Sequence, residues 1–196
     1  GDRILYIPIA LKRSDKYDTC DEWFKQIFSP CWYDIAVLRD PADDVNFEEY
    51  DLVYIGGGNT YSLIYDLREN DLVQPFLEYA GKGGVVYGGS AGAIILGEHI
   101  GTAVGDENYV DIDDFDALAL IHGYDFRPHH TTEHRDAVTE HIEEAGNPVM
   151  CCPEKSGVRL RGNEATVIGE KPVILRHGSQ EIQVQPKGSI GLQTFS

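Results

Sequence analysis

Four short apolar runs constrain this chain more than any other feature. They are Ile4-Leu5-Tyr6-Ile7-Pro8-Ile9, Ile35-Ala36-Val37-Leu38, Leu52-Val53-Tyr54-Ile55 and Val85-Val86-Tyr87. Each is long enough for a buried strand and short for a helix. Helical patterns lie between them. Asp18 to Phe28 carries Trp23, Phe24, Ile27 and Phe28 at helical spacing, with Asp18 or Thr19 as the cap. Thr60 starts a helix through Asp66, Leu72 to Tyr79 reads as another, and an apolar, helix-compatible run follows Gly92 as far as Leu96. Buried strands joined through helices imply a mostly parallel sheet covered on both faces. From about Val158 the texture changes: Gly157, Gly162, Gly169 and Gly178 punctuate β-rich runs such as Val173-Ile174-Leu175 and Ile182-Gln183-Val184. The expected fold is a three-layer, doubly wound α/β domain over residues 1–196. Short antiparallel strands close it near the C-terminus.

Composition narrows the partners. With 42% hydrophobic and 25% charged residues in 196, a sizeable core is available and global disorder is excluded. Sixteen Lys and Arg against 33 Asp and Glu give a formal charge of −17. Such a chain repels nucleic acid and anionic membrane surfaces, and an anionic substrate would need a local basic anchor. No stretch approaches the roughly 20 apolar residues of a membrane span. The first residues, Gly1-Asp2-Arg3, carry no leader pattern. Cys20, Cys31, Cys151 and Cys152 form no disulfide framework and no CxxC pair, so a reducing, cytoplasmic compartment is expected.

Two glycine-rich turns carry the chemistry. Gly88-Gly89-Ser90-Ala91-Gly92 fits G-x-S-x-G between a strand and a helix-compatible run. That setting exposes a Ser hydroxyl on a strained turn and aims the following amide at a developing oxyanion. The bland reading is a tightly packed strand-to-helix turn. Gly56-Gly57-Gly58-Asn59-Thr60 follows another strand. It fits neither the phosphate loop nor G-x-G-x-x-G, but its amides could complete an oxyanion hole. Both turns fall at the carboxyl ends of parallel strands, where open α/β sheets place ligands.

Tyr54 to Thr60, Gly88 to Gly92, Pro128-His129 and Pro153-Glu154, in this order, resemble the peptidase E (aspartyl dipeptidase) family of serine peptidases, to which cyanophycinase is related. The resemblance runs from about Ile4 to Leu175. It implies a glutamine-amidotransferase-like fold and a serine peptidase acting on short peptides, Asp-X dipeptides among them, through an acyl-enzyme. It implies Ser90 as nucleophile, His129 as base and Glu154 as the carboxylate orienting it, with Gly58 and Ala91 as oxyanion-hole amides. It also implies substrate contacts from Asn59, Asp106 and Arg135. Family members usually begin with a further strand ahead of the one at Ile4–Ile9, and the resemblance leads us to expect that strand to be absent here. His130 competes with His129, and Asp106 with Glu154. The chemistry agrees with the roles: a Ser hydroxyl needs a base, His exchanges protons near neutrality, and a carboxylate fixes its tautomer.

Other features read more plainly. His130 and His134 are four apart, but Thr131-Thr132 interrupts the helix and no H-E-x-x-H is present, so no metal or cofactor is expected. Arg135 opens an acidic helix; its guanidinium suits a substrate carboxylate, and a surface pair within the helix is the alternative. Gly105 to Asp116 carries six carboxylates without calcium-loop spacing and reads as a solvated loop. The expected partner is a small peptide, bound by a monomer or homodimer, with neither nucleic acid nor membrane involved. The rival function is a non-catalytic or repurposed binding protein of the same fold; a general esterase is a weaker third.

Overall fold

The computed structural model describes residues 2–28, 30 and 33–193; Gly1 and Cys31 lie outside them. The chain divides into two compact units, residues 1–93 with 106–113 and residues 94–105 with 114–196. Among the described residues, no helix is long and apolar enough to cross a membrane.

The first unit explains why its apolar runs are continuous. Strands β1 (Arg3–Ile7), β2 (Asp34–Val37), β3 (Leu52–Ile55) and β4 (Val85–Gly88) form an all-parallel sheet in the order β2-β1-β3-β4. Successive side chains point to opposite faces of such a sheet. Ile4 and Tyr6 pack with Cys20 and Phe24 of helix α1 (Cys20–Phe28), Tyr6 stacking on Phe24 at 4.0 Å between ring centroids. Leu5 and Ile7 turn the other way and are equally buried, so both faces of β1 are covered. Helices α2 (Thr60–Glu69) and α3 (Val73–Gly81) join β3 to β4, and α3 is tied to the sheet by Tyr79, whose hydroxyl donates to the Val85 carbonyl at 3.1 Å. This is the α/β arrangement expected.

Three details differ from expectation. β1 stops at Ile7, because Pro8 has no N–H to continue the ladder, and Ile9–Leu11 form a 3-10 turn. Trp23 and Ile27 are about half exposed, since α1 buries only the stripe centred on Phe24. Helix α4 (Ala91–Ile94) is a single turn that excludes Ile95; Gly97 N–H closes it onto the Ile94 carbonyl.

The second unit holds two sheets. β5 (Asp125–Arg127) and β6 (Val149–Cys151) are parallel; β9 (Val173–His177) and β10 (Gln180–Val184) add antiparallel strands in the order β10-β9-β6-β5. β7 (Ser156–Arg161), β8 (Glu164–Gly169) and β11 (Ser189–Gly191) form a separate antiparallel sheet. Helix α5 (Arg135–Ala145) packs Val138 and Ile142 on Val149 and Cys151 of β6, while Met150 between them faces the larger core of Tyr124, Val167 and Leu175. α5 ends where Gly146 turns left-handed (φ 79°).

Candidate active site

In the first unit, the register Ile7↔Ile55↔Gly88 brings the turns after β1, β3 and β4 level. Hydrogen bonds carry the ladder past the strand ends: Gly56 N–H donates to Ile7 and Gly89 N–H to Ile55, both at 2.9 Å. Ser90 follows with φ 51°, a left-handed conformation that L-residues rarely adopt, and Ala91 begins α4. Two glycines make the turn. A Cβ on Gly88 would stand 2.5 Å from the Gly92 carbonyl oxygen, and one on Gly92 would stand 2.3 Å from that of Ile55. As the first helical residue, Ala91 has an N–H with no acceptor inside the helix.

The second glycine turn meets the first. A Cβ on Gly57 would lie 2.9 Å from Ser90 Cβ, so the two loops are in backbone-to-side-chain contact. Gly58 has φ 145° and no room for a side chain, its own Cβ position lying 2.3 Å from the Ala10 carbonyl oxygen. Beyond it, Asn59 caps α2: its Oδ1 accepts from Ser62 N–H at 2.8 Å, and its Nδ2 donates to the Glu107 carbonyl at 2.9 Å. The Asp106 carboxylate accepts from Thr60 N–H at 2.7 Å. A negative charge there complements the helix dipole. The acidic segment 106–113 is thus pinned to the start of α2. Farther along α2, Asp66 accepts both guanidinium branches of Arg13, at 2.7 and 2.9 Å.

In the second unit, β5 and β6 position a histidine and a carboxylate. Arg127 pairs with Cys151, and the pairing continues as Cys152 N–H donates to Arg127 O (2.8 Å) and His130 N–H to Cys152 O (3.0 Å). His129 and Glu154 emerge side by side, and Glu154 Oε1 is hydrogen-bonded to His129 Nδ1. That bond directs the tautomer and leaves Nε2 as the ring position on the other side. Both side chains are more than half exposed, 54% and 67%. Of the adjacent histidines, His129 has the carboxylate partner. Burial holds the His130 imidazole below its usual pKa, followed by the positive charges of His134, Arg127 and Arg176. Asp106, the other carboxylate weighed for this role, is in the first unit with its bond to Thr60.

Arg135 opens α5 and is paired with Glu181 of β10 at 3.1 Å. Sequence reasoning overlooked Arg176, only 7% exposed, which donates to the Arg135 carbonyl and to Thr139 Oγ1, both at 2.9 Å. The available signal was an arginine inside the apolar run Val173-Ile174-Leu175-Arg176. His130 and His134 have ring centroids 6.1 Å apart, and among the described residues no group of three or more His, Cys, Asp or Glu could hold a metal ion.

Comparison with known proteins bears on both units. The family model described as Peptidase family S51 matches residues 1–168. The protein named "Probable alpha-aspartyl dipeptidase" of Drosophila melanogaster is 29% identical over 180 residues, covering 86% of this chain and 73% of its own. Peptidase E of Actinobacillus pleuropneumoniae serotype 3 (strain JL03) is 29% identical over 203 residues, covering 95% and 82%. The crystal structure of a peptidase from an acI-B1 Actinobacterium superposes with a TM-score of 0.78 at 22% identity, covering 97% of this chain and 84% of the other, and so shares the fold.

Proposed function

The chain belongs to peptidase family S51 and is a serine-type peptidase. On that premise we propose that it hydrolyses Asp-X dipeptides, with Ser90 as nucleophile, His129 as base and Glu154 as the group that orients the base. The observation that carries the reading is the Ser90 turn: a left-handed serine between a parallel strand and a helix, with Gly57 against its Cβ. The His129–Glu154 hydrogen bond supports the other two roles.

In this reading, Ser90 Oγ attacks the scissile carbonyl carbon while His129 Nε2 takes the hydroxyl proton. The amides of Gly58 and Ala91 receive the oxyanion. Collapse of the tetrahedral species breaks the C–N bond, and His129 returns its proton to the departing amine. Water then attacks the acyl-enzyme with His129 again as base, which frees aspartate and regenerates Ser90. Glu154 holds Nδ1–H and stabilises the imidazolium. Asn59 and Asp106 act on the substrate side through the glycine loop whose following helix they cap. Arg135 grips the substrate's β-carboxylate. Its pairing with Glu181 does not exhaust it, because a guanidinium has five N–H donors.

A fluorophosphonate probe with mass mapping tests the nucleophile: labelling is expected at Ser90 and is lost in Ser90→Ala. A folded protein left unlabelled at Ser90 refutes Ser90 as the nucleophile. Kinetics on Asp-Leu and Ala-Leu test the substrate. A charge-assisted Arg contact is worth about 1.5–3 kcal/mol, so Asp-Leu should lead by roughly tenfold to 150-fold, and Arg135→Met should erase the lead. An undiminished preference in that variant removes Arg135 as its source.

A further inference from the structure

The segment leaving His129 is fastened by two consecutive amides. His130 N–H is bonded to Cys152 O at 3.0 Å, and Thr131 N–H donates to the ring Nδ1 of His134 at 3.1 Å. The His134 N–H returns to the Thr131 carbonyl at 3.1 Å, which closes a 3-10 turn over Thr132–His134 at the entrance to α5. Helix starts commonly use a Glu or Gln at this position, reaching back to the backbone N–H of the capping residue. Here a histidine does it. A carboxylate or amide oxygen accepts over the whole neutral range, but an imidazole nitrogen accepts only while it lacks a proton.

We infer that His134 is a positioning residue for His129: its neutral Nδ1 holds the Thr131 amide, and its protonation releases the turn that keeps His129 in place. This rests on the reading of His129 as base. His129 itself is left-handed, φ 52°, a conformation that persists only where neighbouring bonds enforce it. Thr131 lies two residues on, so its amide anchor acts directly on that geometry. A protonated Nδ1 would face the Thr131 N–H donor to donor. The Thr131 hydroxyl, 3.3 Å from the same nitrogen, can rotate to accept from the charged ring, but the backbone amide cannot.

The surroundings favour the neutral ring. Burial lowers the His134 pKa first, the positive charge of Arg127 on β5 next, and His129 also, with Glu133 of the same turn opposing. His130, whose ring faces His134, is itself approached by Arg127, by Arg176 of β9 and by Glu181 of β10. A histidine with a lowered native pKa binds its proton more readily in the released state. The anchor is therefore strong above the ordinary histidine pKa and is lost as pH falls through the lowered one.

The test compares wild type, His134→Gln and His134→Leu. On the acid side, log kcat/KM of the wild type for Asp-Leu should fall with a slope steeper than one proton, since both His129 and His134 must be neutral. His134→Gln keeps a permanent acceptor; its slope should drop to one proton. His134→Leu should lose roughly tenfold to a hundredfold in kcat at every pH with KM little changed, the effect of a misplaced base. Hydrogen exchange at the Thr131 amide reads the anchor without turnover. It should accelerate at acid pH in wild type, stay slow in His134→Gln and be fast throughout in His134→Leu. Superimposable pH profiles for wild type and His134→Gln, or exchange at Thr131 indifferent to pH, overturn the inference. Absence of turnover with the expected exchange pattern would instead refute the dipeptidase reading.

Discussion

Gly57→Ala is the sharpest test of whether the two glycine turns build one site. The added methyl would stand 2.9 Å from Ser90 Cβ, 3.4 Å from the Gly89 carbonyl oxygen and 3.6 Å from Ser90 Oγ. Ordinary van der Waals contact begins at 3.4 Å, so Ser90 or the Gly56–Gly58 loop must give by about 0.5 Å. Gly57 is not among the positive-φ glycines, so the strain is confined to this contact. Overpacking of this kind costs about 1–3 kcal/mol. At this chain length that lowers Tm by roughly 2–4 °C per kcal/mol, and the protein should remain folded. Misplacing reacting groups by about 1 Å costs about a hundredfold, so half that shift predicts roughly a tenfold loss, near 1.4 kcal/mol of transition-state stabilisation. The loss should appear in kcat for Asp-Leu and in the rate of fluorophosphonate labelling, with KM little changed. Gly81→Ala is the control, since its Cβ meets nothing within 4 Å. A Gly57→Ala protein that melts a few degrees lower yet retains kcat/KM within about twofold would refute the claim that this contact sets the nucleophile.

Two further outcomes follow from burial. Asp125 is fully buried and accepts from His141 Nε2 (2.6 Å), His99 N–H (2.7 Å) and Asn147 Nδ2 (3.2 Å), so Asp125→Ala should cost about 3–5 kcal/mol in urea unfolding, and Asp125→Asn less. A loss under about 1 kcal/mol for the alanine variant would show that those donors find other acceptors. Burial also pushes the Cys151 thiol up to about 12 and that of Cys152 up to about 11. Iodoacetamide at neutral pH should leave both unmodified in the folded protein, and modification at a rate near that of the unfolded chain would contradict their burial.

The legible parts of the fold are those where burial alone decides. β1 and β3 stand out as apolar runs because their side chains avoid water or pack on aromatic neighbours, as Tyr6 and Tyr54 do. β4, at the end of the sheet order, is equally apolar yet leaves Val85 and Tyr87 about half exposed, so the buried strand expected there is not found. β5 was hidden because it reads Asp-Phe-Arg. Its two charged residues are buried by partners that are distant in sequence: His141 and His99 for Asp125, and the Thr102 carbonyl for Arg127 at 2.8 Å. The candidate site divides in the same way. The Ser90 turn is a local property of five residues and could be read. The engagement of Asp106 with Thr60, 46 residues earlier, is a tertiary hydrogen bond that no local pattern encodes. Hence sequence left Asp106 and Glu154 as rivals, whereas hydrogen bonding gives one a helix cap and the other a histidine.

Backbone strain falls on two of the three proposed catalytic residues and on the chain neighbour of the third. Ser90 (φ 51°) lies two residues past the end of β4, His129 (φ 52°) two residues past the end of β5, and Lys155 (φ 66°) directly follows Glu154 beyond β6. Each is a non-glycine residue in the left-handed region, at a cost of about 1–2 kcal/mol apiece. At Ser90 and His129, glycine would remove that cost together with the side chain the proposed chemistry needs. A left-handed residue just past a parallel strand turns the chain sharply, so a side chain there stands clear of the sheet edge. Nearby bonds hold the strained conformations: Gly92 N–H to Gly89 and Ala93 N–H to Ser90 at the first, His130 N–H to Cys152 at the second, and Glu170 N–H to Lys155 at the third. Because the strain is offset by those local bonds, releasing one of them should disturb the functional side chain more than the fold as a whole. That is why the decisive variants here, Gly57→Ala and His134→Leu, act on the supports of Ser90 and His129 and leave both side chains in place.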